Sequence, residues 1–387
     1  MGVVQQTQSQ KPKVYLYTPA GDKYDITELT DGIKWSGDYQ QVARTLEVNI
    51  LYPVNDANQT IVVPSIGDMM TLFVGATELF RGVVWTRDIV ENNQYMKITC
   101  YDALINISKS TTSYNLKNVS PESTVKRVCN DFGIPYDYIA SSGGTTYSDA
   151  AMGKGCYDII MAGYTEASKR TGYKYMPIML RGRLNIIEKG IIRVPYVLSS
   201  DVNVMNTQHN QTLDSMINQV IIYDEAGNIV NSVSNQGWIN AYGLLQNAIQ
   251  YEEGKDNLAL ARKELKDMEK KVRVQALGII EAITGHAIML KSTHSEAVGL
   301  FYIDGDSHSW KNGSYEMLLT LNFQNIMDEK ELNEEAKDTS SSSGGDSGDA
   351  GEDDGGSDIA DIPDWWLENW EEPHTHGTDK YSFSINK

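Results

Sequence analysis

Cysteine is scarce in this 387-residue chain, occurring only at Cys100, Cys129 and Cys156. An odd number at wide spacing makes neither a disulfide framework nor a zinc site, so folding in a reducing cytoplasm is expected. No apolar run approaches the roughly 18 residues that a membrane-spanning helix needs. The N-terminal MGVVQQTQSQKPK has no apolar stretch and reads as a short arm, not as a secretory signal. Basic residues are outnumbered, with 33 Lys and Arg against 52 Asp and Glu and a net charge of −19. No basic stripe stands out, so no nucleic-acid groove is expected. The phosphate-cradling P-loop, the GxSxG elbow and the HExxH metal motif are all missing. Carboxylates are plentiful, but their spacing selects no catalytic pair. The chain reads as a binding or assembly protein without enzymatic activity.

What is present is a sequence of strands, then helices, then strands. Between residues 13 and 110, runs at 14–17, 33–39, 45–51, 69–74, 78–90 and 95–101 alternate or are β-rich, with turn residues between them. Spacing of this kind argues for a small antiparallel barrel or sandwich. Ser120 as N-cap and Pro121 then open a helix over 122–132, which Gly133 stops. A second amphipathic helix over 158–171 ends at Gly172, and a hairpin joins 173–180 to 183–187 across Arg181-Gly182. Strands return at 216–223 and 229–233. A long helix is expected at about 255–277, because Leu258, Ala261, Leu265, Met268 and Val272 step by 3, 4, 3, 4. That seam either packs on its own barrel or makes a subunit contact through Leu258, Leu265 and Met268. Strand-like runs at 298–303 and 315–323 flank a polar middle and the hairpin signal Asn312-Gly313.

The expected fold class is therefore α+β, mainly β: two small antiparallel β-barrels flanking an inserted α+β module, plus a flexible acidic C-terminal tail. The domains are read as 1–110 (arm and first barrel), 111–192 (insertion), 193–331 (second barrel with the long helix) and 332–387 (tail). The tail holds 15 Asp and Glu against 3 Lys, a net of −12 that leaves −7 for the rest. Residues 338–358 are almost purely Ser, Gly and Asp, a composition that cannot bury a core. Beyond them, Trp365, Trp366 and Trp370 form a cluster that reads as a docking peptide or a tiny folded cap. His286, His294 and His308 read as structural or exposed. His374 and His376 would point to one side of an extended strand, as a metal pair or as ordinary surface histidines.

The run HSEAVGLFYIDGDSHSWKNGSYEMLLTL, after its charged helix, resembles the C-terminal barrel of the tail hub (baseplate hub) proteins of contractile phages and phage-derived particles, closest to the PBSX-like prophage branch. GDMMTLFVGATELFRGVVWTRDI, with its Phe-x-Gly-x-Val, resembles the first barrel of that family. The resemblance covers roughly residues 11–330 and implies a homotrimeric ring of six barrels that adapts a six-fold tail tube to a three-fold spike. It implies as partners the tail tube protein, the central spike protein and other baseplate proteins, with DNA passing through unbound and no membrane binding. The location implied is a virion or particle tail baseplate, assembled in the bacterial cytoplasm. At a trimer axis, three copies of His374 and His376 would offer six imidazoles, suited to iron or, next, zinc. The alternative is a tail-associated cell-wall hydrolase or a carbohydrate- or receptor-binding tail protein.

Overall fold

Alternation of apolar and polar residues becomes alternation of buried and exposed ones across the first sheet. Leu46, Val48 and Ile50 are buried on one face of the strand Thr45–Leu51. That strand lies antiparallel between Thr30–Asp38 and Tyr95–Tyr101, and the order continues through Thr77–Ile89, Met69–Val74, Pro12–Tyr17 and Lys23–Asp25. The computed structural model describes residues 11–40, 43–52, 62–89 and 94–333. Mainly β structure in several antiparallel sheets agrees with the fold class read from the sequence. Among the described residues no helix is long and apolar enough to cross a membrane.

The described chain divides into two units. The first takes residues up to Glu188 together with Ser309–Tyr315 and 327–333. In it the helices form where their caps dictate. The Ser120 hydroxyl accepts from the Ser123 N–H at 3.2 Å, Pro121 occupies the first turn, and the helix runs Pro121–Asp131. The helix Cys156–Thr171 ends on Gly172 at φ +77°, a left-handed cap that glycine adopts without a Cβ penalty. Its Ile159, Ile160, Gly163, Tyr164 and Ala167 are buried against the other helix and the strand pair Thr111–Val119 and Tyr147–Gly155. Gly163 is required there by space, since a Cβ would sit 2.8 Å from the Tyr147 ring. A three-stranded sheet of Tyr175–Leu180, Arg183–Glu188 and Tyr136–Ile139 completes this layer.

Residues 327–333 strap onto the helix Cys156–Thr171 and the strand Tyr147–Gly155. Tyr157 donates to Asp328 at 2.9 Å, Lys174 pairs with Glu329 at 2.8 Å, and the Lys330 N–H reaches Thr165 at 3.0 Å. Leu332, read from the sequence as the start of the tail, packs against the core, and the Asn333 N–H donates to Asp149 at 2.9 Å. The reference for urea denaturation is a chain ending at Asn333, which keeps every contact given above for 327–333. A chain ending at Lys330 should lose about 2 kcal/mol against it, from one half-buried leucine and three hydrogen bonds, donated by Lys154 to the Glu331 carbonyl and by Asn333 to Asp149 and Ala150. Equal midpoints for the two truncations would show that Leu332 and Asn333 contribute nothing.

The second unit runs from Lys189 to His308 with Glu316–Ile326. Its core joins Val272, Val274, Ile288, Leu290, Phe301, Ile303, Leu319 and Leu321. The long helix expected over 255–277 is not there. A helix covers Asn257–Glu264, and Glu269–Leu277 is a strand paired with both Val204–Thr212 and Ser314–Asn322. The Asp256 carboxylate caps the helix on the Ala259 N–H at 3.0 Å, and the chain leaves it at Leu265 to bridge Lys266 with Ile217. From Val272 on, the pattern has period 2: Val272, Val274 and Ala276 are buried, while Lys271, Arg273 and Leu277 are exposed. A ladder on both edges and three buried side chains outweigh the modest helix propensity of Glu, Lys and Arg. Glu269 and Lys271, two apart and so on one face of the strand, form an ion pair.

Between these strands the chain makes an excursion that the sequence only half disclosed. Gln219–Tyr223 lies between antiparallel Ile229–Ser234 and parallel Gln246–Gln250. Val220, Ile222 and Ala261 are its buried centre, with Leu258 and Leu265 half-buried against them.

Candidate functional site

The polar stretch Asp304-Gly305-Asp306-Ser307-His308 looks on paper like the loop of a hairpin. It is instead the middle of one long strand, Ala297–Lys311, and Asp304, Asp306 and His308 are all buried. The turn comes later, at Asn312-Gly313, whose φ values of 52° and 76° suit a type I′ hairpin. In a strand, residues two apart share a face, so the three polar groups form one row.

Each member of the row is engaged. Asp304 forms an ion pair with Lys189, whose side chain is fully buried and also donates to the Ile326 carbonyl at 2.7 Å. The second Asp304 oxygen accepts from Asn322 at 3.1 Å, and Asn325 returns to the Lys189 carbonyl at 2.7 Å. Asp306 accepts from both the N–H and the hydroxyl of Thr284 at 2.7 Å. His308 places Nε2 3.2 Å from the Ala282 carbonyl and 3.4 Å from Asp306. Because a carbonyl only accepts, Nε2 carries the hydrogen. With its acceptors committed inside the core, the row is no general base. What it does is tie the entry of the unit at Lys189, the loop at 282–284 and the exit at 322–326 to one strand.

Other reactive groups are equally enclosed. Asp102 accepts from the N–H groups of Arg44 at 3.1 Å and Leu104 at 3.0 Å, while burial pushes its carboxyl up to about 7. Burial also pushes the Cys129 thiol up to about 12 and Cys156 up to about 11, and it raises Cys100 as well. All three are free thiols held protonated, which removes them as nucleophiles. Among the described residues no three His, Cys, Asp or Glu come together in a way that could hold a metal.

The residues singled out in the sequence fare differently. Leu258 and Leu265 pack on their own small sheet, and Met268 is half-buried ahead of the strand Glu269–Leu277. His286 is half-buried, with Nδ1 2.8 Å from the Glu281 carbonyl, and His294 is exposed. His374, His376, Trp365, Trp366 and Trp370 lie outside the described residues. Lys189 and Asp304 were missed. They are 115 positions apart, and neither has a local signal beyond being a charge in an apolar neighbourhood.

Comparison with known proteins places this architecture. The chain is 25% identical over 318 residues to the phage-like element PBSX protein XkdQ of Bacillus subtilis, covering 78% of this chain and 94% of that one. Its fold is similar to the 43 kDa tail protein of prophage MuSo2 from Shewanella oneidensis, with a TM-score of 0.63 and 11% identity, covering 80% of this chain and 98% of that one. The tail protein from Neisseria meningitidis MC58 is also similar, with a TM-score of 0.56 and 10% identity over 80% of this chain and 96% of that one. The YQBQ-like family model matches residues 33–322, which takes in both units. The chain belongs to the YQBQ-like family.

Proposed function

We propose that this protein is the structural hub of a contractile phage tail or phage-tail-like particle. Three copies would form a ring that adapts a six-fold tail tube to a three-fold spike. A structural tail component is the coarser reading, supported by the similarity to XkdQ over nearly its whole length and by the fold shared with two tail proteins. The observation that carries the reading is the buried row of Asp304, Asp306 and His308, whose charge is used to hold segments together and not to meet a substrate. In the hub reading, closed point symmetry is the economical way to repeat one surface patch around an axis. The acidic chain suits a ring that passes DNA without binding it, because carboxylate and phosphate repel.

Trp365, Trp366 and Trp370 would dock on a tube, spike or neighbouring hub chain, and His374 with His376 would meet at the axis around iron. Tail baseplates assembled in a bacterial cytoplasm would be the site of action. The mass of the purified protein and of the hub layer in assembled particles tests the ring, with three chain masses expected. Monomer in both preparations refutes it.

A further inference from the structure

One feature of the second unit serves neither the core nor the buried polar row. The strand Val204–Thr212 closes its sheet on one side only: it is paired with Glu269–Leu277, and among the described residues no strand covers its other edge. Along that edge runs a groove of about 770 Å³, lined by seven of the nine strand residues and faced by the turn at 292–296. Such an edge offers a row of backbone N–H and C=O groups to any extended segment of suitable length.

The register says what such a segment would meet. Val204, Thr207 and His209 stand opposite Ala276, Val274 and Val272, so they share the face that carries the hydrophobic core. This face is unfinished at the edge. The Thr207 hydroxyl is buried without a hydrogen-bond partner. The His209 ring holds Nδ1 2.9 Å from the Ser295 carbonyl of the facing turn and leans on Phe323 at 5.7 Å, which in turn packs on Phe301 at 4.4 Å. Met205, on the strand itself, is 54% exposed. An added strand with alternate apolar residues would extend the core past His209 and place its other residues in water.

One segment of this chain has that pattern. Tyr381-Ser382-Phe383-Ser384-Ile385 alternates strong β formers with serine, and it lies outside the described residues. Residues 334–379 precede it, and a flexible chain of that length spans roughly 35–40 Å on average and over 100 Å at full stretch. The acidic stretch ahead of the segment complements the charge beside the edge, while Lys380 and Lys387 flank the segment itself. The stretch before it carries Glu371, Glu372 and Asp379, while the strand next to the open edge presents exposed Lys270, Lys271 and Arg273.

We propose that the C-terminal segment around Tyr381, Phe383 and Ile385 adds as a strand to the open edge of Val204–Thr212. Its apolar side chains would face the core beside His209 and Phe323. The occupant is the tail of this chain, whether from the same copy or from a neighbouring one.

Hydrogen exchange of the amides in 204–212, followed in the full chain and in a chain ending at Asp379, tests this. The amides of this strand that point away from Glu269–Leu277 should exchange at least tenfold faster in the shortened chain, those bonded to Glu269–Leu277 should change little, and a peptide of residues 379–387 should restore the slow rate. Phe383→Asp in the full chain should act like the truncation. Gln208→Cys with Ser384→Cys should form a disulfide under mild oxidation, within one chain or between two according to whose tail is bound; the native thiols are buried. Equal exchange in the full and shortened chains overturns the proposal. So does protection that depends only on protein concentration, which would mean that the edge of a second copy fills the groove. Acceleration spread over every strand also overturns it, since that reports a general loss of stability.

Discussion

Lys189→Met is expected to destabilise the second unit by about 3–5 kcal/mol, the range for removing one partner of a buried ion pair. The Lys189 side chain has no exposed surface and that of Asp304 is 7% exposed, so water cannot replace the lost ammonium. Asp304 would lose its cationic partner and keep its bond from Asn322, and the Ile326 carbonyl would lose a donor. Most of the cost is that of leaving a carboxylate uncompensated in a low-dielectric core. Adding Asp304→Asn to the Lys189→Met chain should therefore recover a large part of the loss, since the pair is then neutral. Urea denaturation of the two variants beside the parent chain measures both effects. A loss under about 1 kcal/mol for Lys189→Met would falsify the buried-pair account, because exposed pairs contribute only that much.

A loss of roughly 2–3 kcal/mol, the upper part of the range for overpacking, is expected for Gly82→Ala in the first unit. Gly82 is the glycine of the Phe-x-Gly-x-Val stretch, and its φ is not in the left-handed region. Space is what demands it. A Cβ there would lie 2.2 Å from the Tyr101 carbonyl oxygen and 2.5 Å from the tip of the Phe80 ring. The ring can turn aside, but the carbonyl cannot, since Tyr101 is paired with Val83 on one side and with Thr45 on the other. Relief therefore requires shifting a central strand. Thermal unfolding measures this loss, and a melting temperature within a degree or two of the parent would mean that the sheet yields locally.

These two sites differ in how far the sequence announces them. The Phe-x-Gly-x-Val spacing marks Gly82 as special, although only the approach of Tyr101 explains why. Nothing local marks Lys189. Its meaning comes from Asp304, Ile326 and Asn325, brought together by strand pairing across the unit. The same contrast holds for the elements. The helices at Pro121–Asp131 and Cys156–Thr171 were legible because caps and an apolar stripe are local features. The strand Glu269–Leu277 was not, because Leu258, Ala261 and Leu265 continue into Val272 with helical spacing, and the period-2 alternation starts only there. His308, which reads as structural or exposed, is buried.

By itself the sequence determined the mainly β class, the caps and turns, the Asn312-Gly313 hairpin and the change of composition near residue 338. All of these depend on neighbours within a few positions, where backbone sterics and periodicity act directly. Tertiary structure alone decided that the Asp304–His308 run is core and that 255–277 divides into helix and strand. It also decided that Leu332 and Asn333 belong to the body and that, among the described residues, Val204–Thr212 is paired on one edge only. In each case the deciding energy is non-local: a charge is tolerated inside only where a distant partner arrives, and a strand forms only where another offers its edge.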